Sequence, residues 1–234
     1  MSPPRVFLLS PANCRGTRGK QAISPRATFP VAEQLRSPEG VAIGDLFAFV
    51  SGLYFRGKLT YARRFAVPPE PGNPVVGGGI QVITPNAGLH PPETRLTSTA
   101  FKKFSGADVH LDNAAYRRPL EQSARALARE LGGACDVVLL GSVASPKYVD
   151  VLLAIFGDRL LFPIEFVGRG DMSRGGLLLR RAADGVELDY VAVAGAVLHG
   201  ARPPKLPPLR EWRNQAGGLG TTRDAKVTKG RHER

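Results

Sequence analysis

Short apolar runs, each followed by Gly, Pro, Ser or Asn, alternate along the chain with segments of helical periodicity. Runs of this length and composition are typical of strands that are buried on both faces. Strands that alternate with helices predict an α/β fold, here one domain over residues 1–212 with a mostly parallel sheet flanked by helices. The four runs are Arg5–Leu9, Gly79–Ile83, Asp136–Leu140 and Arg159–Phe162, and Glu187–Val193 is a candidate further strand.

The helical segments have recognisable starts and stops. Asp45 is a candidate N-cap for a helix that continues toward Phe65, with a break expected at Gly52 or Gly57, where glycine disfavours helix. Pro119 suits the first turn of a second helix, and Pro146 that of a third. A short helix is predicted near 97–104. Residues 13–30 and 168–176, rich in Gly and Arg, are predicted to be loops.

Charge is the unusual feature of the composition. The chain carries 32 Lys and Arg against 20 Asp and Glu, a formal charge of +12. Residues 213–234 contain six basic and two acidic residues, so they supply +4 and are predicted to be a basic disordered tail. The remaining +8 lies on residues 1–212. A basic body favours a polyanionic partner, although a merely solvated basic surface gives the same count.

The two cysteines and the absence of a long apolar segment bear on location. Cys14 follows the first predicted strand and Cys135 precedes another, so parallel strands place the two thiols at opposite sheet edges, too far apart for a disulfide. Free thiols are typical of a reducing compartment. The N-terminal apolar run is too short for a signal peptide, and no segment suits a membrane span. We therefore predict a cytoplasmic protein without a membrane partner.

Polar side chains follow the carboxyl ends of the four predicted strands. In open parallel sheets, ligands bind at this edge, so the loops after the strands are expected to converge on one site. The segment 141–148 leads into a helix N-terminus that favours an anion, but it lacks the second glycine of a phosphate-binding P-loop. The candidate nucleic-acid or anion-binding residues are Ser10, Asn13, Arg15, Arg18, Asn86, Ser142, Ser145, Lys147, Tyr148, Arg169 and Arg174.

Candidate catalytic groups are few. Glu165 and Asp171 are candidates for a carboxylate pair in acid–base chemistry, although acids beside basic residues are more often ion-paired. Cys14 lies near Arg15 and Arg18, which favour a reactive thiol, against the alternative of a passive one. The four histidines are scattered without metal-ligand spacing, so neither a metal nor a cofactor is predicted.

Residues 54–64 interleave aromatic and basic side chains. Such a pattern serves contact with a nucleic-acid backbone combined with base stacking. The competing interpretation is structural, because Tyr54 and Tyr61 are seven residues apart on the predicted core face of a helix.

Four short segments follow one another along residues 5–180: Ser10-Pro11-Ala12 after the first strand, Ile83–Pro92, Val143–Tyr148 and Asp171–Arg174. Together, and in this order, they resemble the YaaA family of bacterial peroxide-stress proteins. Asn13 and Lys147 depart from the lysine and glutamate of that family, which leaves the site less acidic. The resemblance implies a compact α/β fold with a positively charged cleft, DNA binding, and protection against oxidative stress.

Three functions remain open from the sequence. The first is sequence-nonspecific binding of nucleic acid, with DNA as the expected partner, as the YaaA resemblance implies. The second is an enzyme that acts on a nucleotide or nucleobase at the carboxyl edge of the sheet. The third is a regulatory protein that binds its partner through the basic tail.

Overall fold

The computed structural model describes residues 3–144, 146–197 and 199–207, and the residues up to Pro204 form one compact unit. The predicted tail, and Ser145 within the candidate site, lie outside the described residues. The strands of this unit are β1 Arg5–Leu9, β2 Val41–Ala42, β3 Ile80–Ile83, β4 Leu89–His90, β5 Arg95–Leu96, β6 Asp136–Leu140, β7 Leu160–Pro163 and β8 Tyr190–Ala192. The α-helices are α1 Thr17–Ala22, α2 Pro30–Arg36, α3 Ile43–Ser51, α4 Leu53–Phe65, α5 Ser98–Gly106, α6 Ala114–Leu131, α7 Pro146–Phe156 and α8 Asp171–Asp184.

The main sheet has the strand order β4-β3-β1-β6-β7-β8. The four central strands are parallel, and β4 and β8 close the two edges in the antiparallel direction. The prediction of a mostly parallel sheet flanked by helices is therefore confirmed. Strands β2 and β5 form a separate antiparallel pair.

Alternate side chains of β1 show how the sheet is covered on both faces. Val6 and Leu8 belong to the same buried cluster as Leu120 and Leu127 of α6. Phe7 points to the other face, where its ring meets that of Tyr61 in α4 at 5.8 Å. Burial on both faces explains why the strand is an unbroken apolar run.

Helices α4 and α8 cross in direct backbone contact. A Cβ on Gly57 would lie 2.6 Å from the carbonyl oxygen of Gly175, and a Cβ on Gly175 would lie 2.8 Å from the Leu53 oxygen. Neither position has room for a side chain. The glycine-rich segment 168–176 was therefore wrongly predicted as a loop: from Asp171 onward it is helix α8, because close helix packing outweighs the low helix propensity of glycine.

Three other local predictions are wrong. Residues 13–30 contain α1 and the start of α2, and Gly19 is required inside α1 because a Cβ there would overlap the Cys14 carbonyl. Helix α3 is capped by Ala42, and Asp45 lies within its first turn. Helix α6 begins at Ala114 rather than Pro119, because burial of Tyr116 extends it by more than a turn.

No helix within the described ranges combines the length and the apolar character that crossing a bilayer requires.

Candidate functional site

The strands β1 and β6 end side by side beneath a cavity of about 410 Å³, here called the Ser10 cleft. Its walls come from the ends of these two strands and from the starts of α7 and α8, as expected for a ligand site in a parallel sheet. A neighbouring cavity of about 390 Å³ includes Arg15 and Pro85 in its lining and shares Pro11, Asn13 and Lys147 with the cleft. The cleft is lined by Ser10, Pro11, Asn13, Ser51, Tyr54, Ser142, Lys147, Tyr148 and Asp171.

A buried lysine lies directly behind Ser10. The Lys58 side chain reaches from α4, and its Nζ donates to the Ser10 carbonyl oxygen at 2.7 Å and lies 2.8 Å from Ser10 Oγ. Lys58 is 1% exposed, whereas Ser10 is 6% exposed and lines the cleft. Of this pair, Ser10 lines the cleft, whereas Lys58 is not among the lining residues.

The surroundings of Lys58 are mainly aromatic. Its Nζ lies 4.6 Å from the centroid of the Tyr54 ring and 4.8 Å from that of Phe55. Burial lowers the pKa of Lys58 to about 7, because a charged amine loses its hydration there, and the Asp171 carboxylate opposes this shift only in part. Near neutral pH the amine is therefore present in both its charged and its neutral form.

Gly141, at the end of β6, allows two hydroxyl groups to approach each other. A Cβ at this position would lie 3.1 Å from Ser10 Oγ, 2.8 Å from Ser10 Cβ and 3.0 Å from the Tyr148 hydroxyl oxygen. The Tyr148 hydroxyl donates to the Ser142 carbonyl at 2.9 Å. Burial raises the pKa of Tyr148, so this side chain stays a neutral donor at the cleft wall.

Arg174 and Asp171, both in α8, form an ion pair. The Arg174 guanidinium is buried, donates twice to the Phe166 carbonyl at 3.0 and 3.2 Å, and lies 3.6 Å from the Asp171 carboxylate. Asp171 is exposed and lines the cleft. Arg174 thus ties α8 to Phe166, and its predicted phosphate contact stays a prediction, while Asp171 lines the cleft.

Three further predicted contacts are tied to backbone carbonyls. Arg15 donates to the Ser105 and Gly106 oxygens at the end of α5, Arg18 donates to Phe49 near the end of α3, and Asn86 donates to Lys103. These bonds fix α1 and the loop after β3 against their neighbours. Arg15 and Arg18 remain exposed, so their charge still contributes to the potential around the cleft.

Glu165 and Arg169 lie in the segment between β7 and α8 but do not line the cleft. The Glu165 carboxylate is 3.9 Å from Arg181, and Arg169 donates to Ser173 Oγ and to the Pro204 carbonyl. The two carboxylates that were predicted to form one site, Glu165 and Asp171, therefore do not line the same cleft. Asp171 alone of the two belongs to the Ser10 cleft.

The thiol of Cys14 is buried, and burial raises its pKa to about 12. The nearby arginines donate to carbonyls instead of stabilising a thiolate, so the reactive form that their proximity suggested is disfavoured. Burial also raises the pKa of Cys135, to about 11. Among the described residues, no group of three His, Cys, Asp or Glu side chains is arranged to hold a metal ion.

Sequence reasoning missed Lys58 and Gly141. Lys58 follows Tyr54 by four residues and precedes Tyr61 by three, which places it on the buried face of α4. That spacing is the signal that could have identified it: a lysine in the centre of an aromatic core stripe.

Comparison with known proteins adds no relative. The chain matches no protein-family model, no curated protein and no solved structure. The four segments that resemble YaaA proteins are therefore supported by sequence order alone, and the function is argued from the Ser10 cleft.

Proposed function

We propose that the protein is an enzyme that acts on a nucleotide or nucleobase bound in the Ser10 cleft. The observation that carries this proposal is the contact between the buried Lys58 amine and the Ser10 hydroxyl at the cleft floor. Burying an amine without an acidic partner costs stability, and perturbed amines of this kind concentrate at functional sites. The lowered pKa of Lys58 suits proton transfer near neutral pH.

The dimensions and charge of the cleft support a ligand of nucleotide size. A volume of about 410 Å³ falls within the range of small-molecule sites. Lys147 is exposed in the first turn of α7, where the helix dipole also favours an anion such as a phosphate. Asp171 and the Asn13 amide offer complementary partners for the polar edge of a base.

Nucleotide binding is tested with a panel of nucleosides, nucleoside monophosphates and free bases, measured by calorimetry and by ligand-detected NMR. We expect a monophosphate to bind more tightly than its nucleoside, and Lys147→Ala to weaken the monophosphate selectively. Lys102→Ala provides the control, because it removes an equal charge from an exposed residue of α5 that does not line the cleft. If no compound binds at millimolar concentration, or if the two variants behave alike, the proposal is wrong.

Nucleic-acid binding of the YaaA type, with a role in oxidative-stress protection, is the second candidate. The charge of +8 on residues 1–212 favours it. Arg15, Arg18 and Arg174 already donate to carbonyls, which reduces their capacity to clamp phosphates. Binding of the 1–212 fragment to labelled duplex and single-stranded DNA, titrated with salt, tests this candidate. A log–log slope of several units supports it, and binding that requires residues 213–234 points to the basic tail instead.

A further inference from the structure

We infer that Ser10 is a nucleophile and that Lys58 is the base that takes its proton, in the hydrolysis of a carboxylic ester or amide. This inference rests on the proposed enzymatic function and gives it a reaction class, with the ester or amide carried by the nucleotide or base that the cleft binds. Two positions carry it: Ser10 lines the cleft, and the Lys58 amine, on a side chain that is 1% exposed, lies 2.8 Å from the Ser10 hydroxyl oxygen.

Two hydrogen-bond contacts hold the Lys58 amine against Ser10. The Ser10 carbonyl accepts a hydrogen bond from Lys58 Nζ at 2.7 Å, so the amine is anchored to the same residue whose hydroxyl it contacts. The rings of Tyr54 and Phe55 flank the amine, and the aliphatic stem of Lys58 is buried with them. The amine therefore has little freedom to leave Ser10 Oγ, which is the orientation that an activated serine requires.

The protonation state agrees with this role. A lysine acts as a base only when it is neutral, and burial gives Lys58 a pKa of about 7 instead of its ordinary 10.5. The charged and titratable groups around the pair are Asp171 and Arg174 of α8, Tyr148 of α7 and Tyr54 of α4. The Asp171 carboxylate raises the pKa of Lys58, and burial keeps Tyr54 and Tyr148 neutral at the pH of the reaction.

The reaction balances with water as the co-reactant. Neutral Lys58 accepts the Ser10 hydroxyl proton while Oγ bonds to the carbonyl carbon of the substrate. The bond from that carbon to the leaving alcohol or amine breaks, and the Lys58 ammonium returns the proton to the leaving group. Water then attacks the Ser10 ester with Lys58 as base, which releases the carboxylic acid and restores the Ser10 hydroxyl.

Gly141 is a positioning residue for this arrangement. Any side chain at this position would overlap both Ser10 Cβ and the Tyr148 hydroxyl. The end of β6 therefore has to be glycine if Ser10 is to keep its contact with Lys58. Gly141 follows β6 and Ser10 follows β1, so the close approach of these two residues joins the carboxyl ends of two neighbouring parallel strands at the Ser10 hydroxyl.

A fluorophosphonate probe tests the nucleophile without knowledge of the substrate. Attack by Ser10 Oγ forms an Oγ–P bond and expels fluoride, and the serine proton passes to Lys58. We expect the full-length protein to gain one adduct, mapped to the peptide that contains Ser10, with a rate that rises with pH through about 7 as Lys58 becomes neutral. Ser10→Ala should abolish the adduct, whereas Ser24→Ala, at a serine that does not line the cleft, should keep it.

Lys58→Met is expected to slow labelling about 100-fold or more, the range of a general base. Lys58→Arg is the second variant, since it keeps a cation but accepts no proton near neutral pH. Thermal melts identify which variants are folded. Ser10→Ala keeps the backbone carbonyl that Lys58 binds, so its folding is the least affected, and its loss of labelling remains interpretable even if both lysine variants unfold.

Two results would overturn the inference: no adduct on folded wild-type protein between pH 6 and 9, or equal labelling rates in wild type and a folded Lys58 variant. Nucleotide binding measured on the same preparations separates this failure from that of the proposed function. Bound nucleotide without labelling refutes the Ser10 nucleophile and leaves the enzymatic proposal standing, whereas absence of both refutes both.

Discussion

Replacement of Lys58 by methionine should change how stability depends on pH. Methionine is unbranched and of similar length, so it fills the same space without a charge. In the wild type, the pKa of Lys58 is about 7 when folded and 10.5 when unfolded. Below pH 7 both states hold the proton. Between pH 7 and 10.5 the unfolded state binds more protons than the folded state, so the free energy of unfolding rises with pH.

The size of the effect follows from the two pKa values. The contribution of Lys58 to the slope approaches about 1.4 kcal/mol per pH unit once the folded amine is neutral. Integrated from pH 6 to pH 9, the wild type gains roughly 2–3 kcal/mol relative to Lys58→Met. Loss of the hydrogen bond to the Ser10 carbonyl adds an offset between the two proteins that varies far less with pH.

Urea denaturation of both proteins at pH 6, 7, 8 and 9 measures this difference, provided that the transitions are two-state. Asp171→Asn is the matched control in the wild-type background, because the Asp171 carboxylate raises the pKa of Lys58 and its removal should shift the curve to lower pH. A difference between wild type and Lys58→Met that stays constant within about 0.5 kcal/mol across this range, well below the predicted 2–3 kcal/mol, would refute the reasoning. It would mean that water reaches the amine.

Three further predictions concern packing and the thiols. Gly175→Ala should destabilise the protein by more than about 2 kcal/mol in urea denaturation, because its Cβ would lie 2.8 Å from the α4 backbone, whereas Gly133→Ala, with open space around it, should change stability by less than about 0.5 kcal/mol. Leu127→Ala, which empties a fully buried position of α6, should cost about 2–5 kcal/mol by the same assay, and a cost below about 1 kcal/mol would contradict its placement. Cys14 and Cys135 should react with a thiol reagent at pH 8 only on unfolding, since burial raises both pKa values; fast reaction of the native protein would argue against it.

The alternation of apolar runs and helices was enough to predict the sheet. Strand β1 needs Val6 and Phe7 on opposite faces, and both faces are covered, so every residue of the strand after Arg5 is apolar. The helix boundaries were harder to predict where glycine lies inside a helix. Gly19 and Gly175 were predicted as loop residues, but each is required by a close backbone: that of Cys14, five residues earlier, for Gly19, and that of α4 for Gly175.

The convergence of the loops followed from topology, since parallel strands bring their carboxyl ends to one edge. The partners of the individual side chains did not. Arg15 bonds to α5, some ninety residues away, and Arg18 bonds to the end of α3. A sequence shows which charged side chains lie near the edge of the sheet. It does not show which backbone carbonyls accept their hydrogen bonds, because the packing of distant helices decides this.

Lys58 shows the consequence for function. The basic residues that the sequence made conspicuous are exposed or bound to carbonyls, whereas the amine with the strongest perturbation lies among aromatic side chains on α4. Solvated charges attract anions over a long range, but they do not activate a hydroxyl group. A desolvated amine in contact with Ser10 Oγ is the arrangement that the proposed activation requires, and the rest of the fold bears the cost of its burial. The position of this single lysine is therefore the reason to prefer a reaction in the cleft over purely electrostatic binding of nucleic acid.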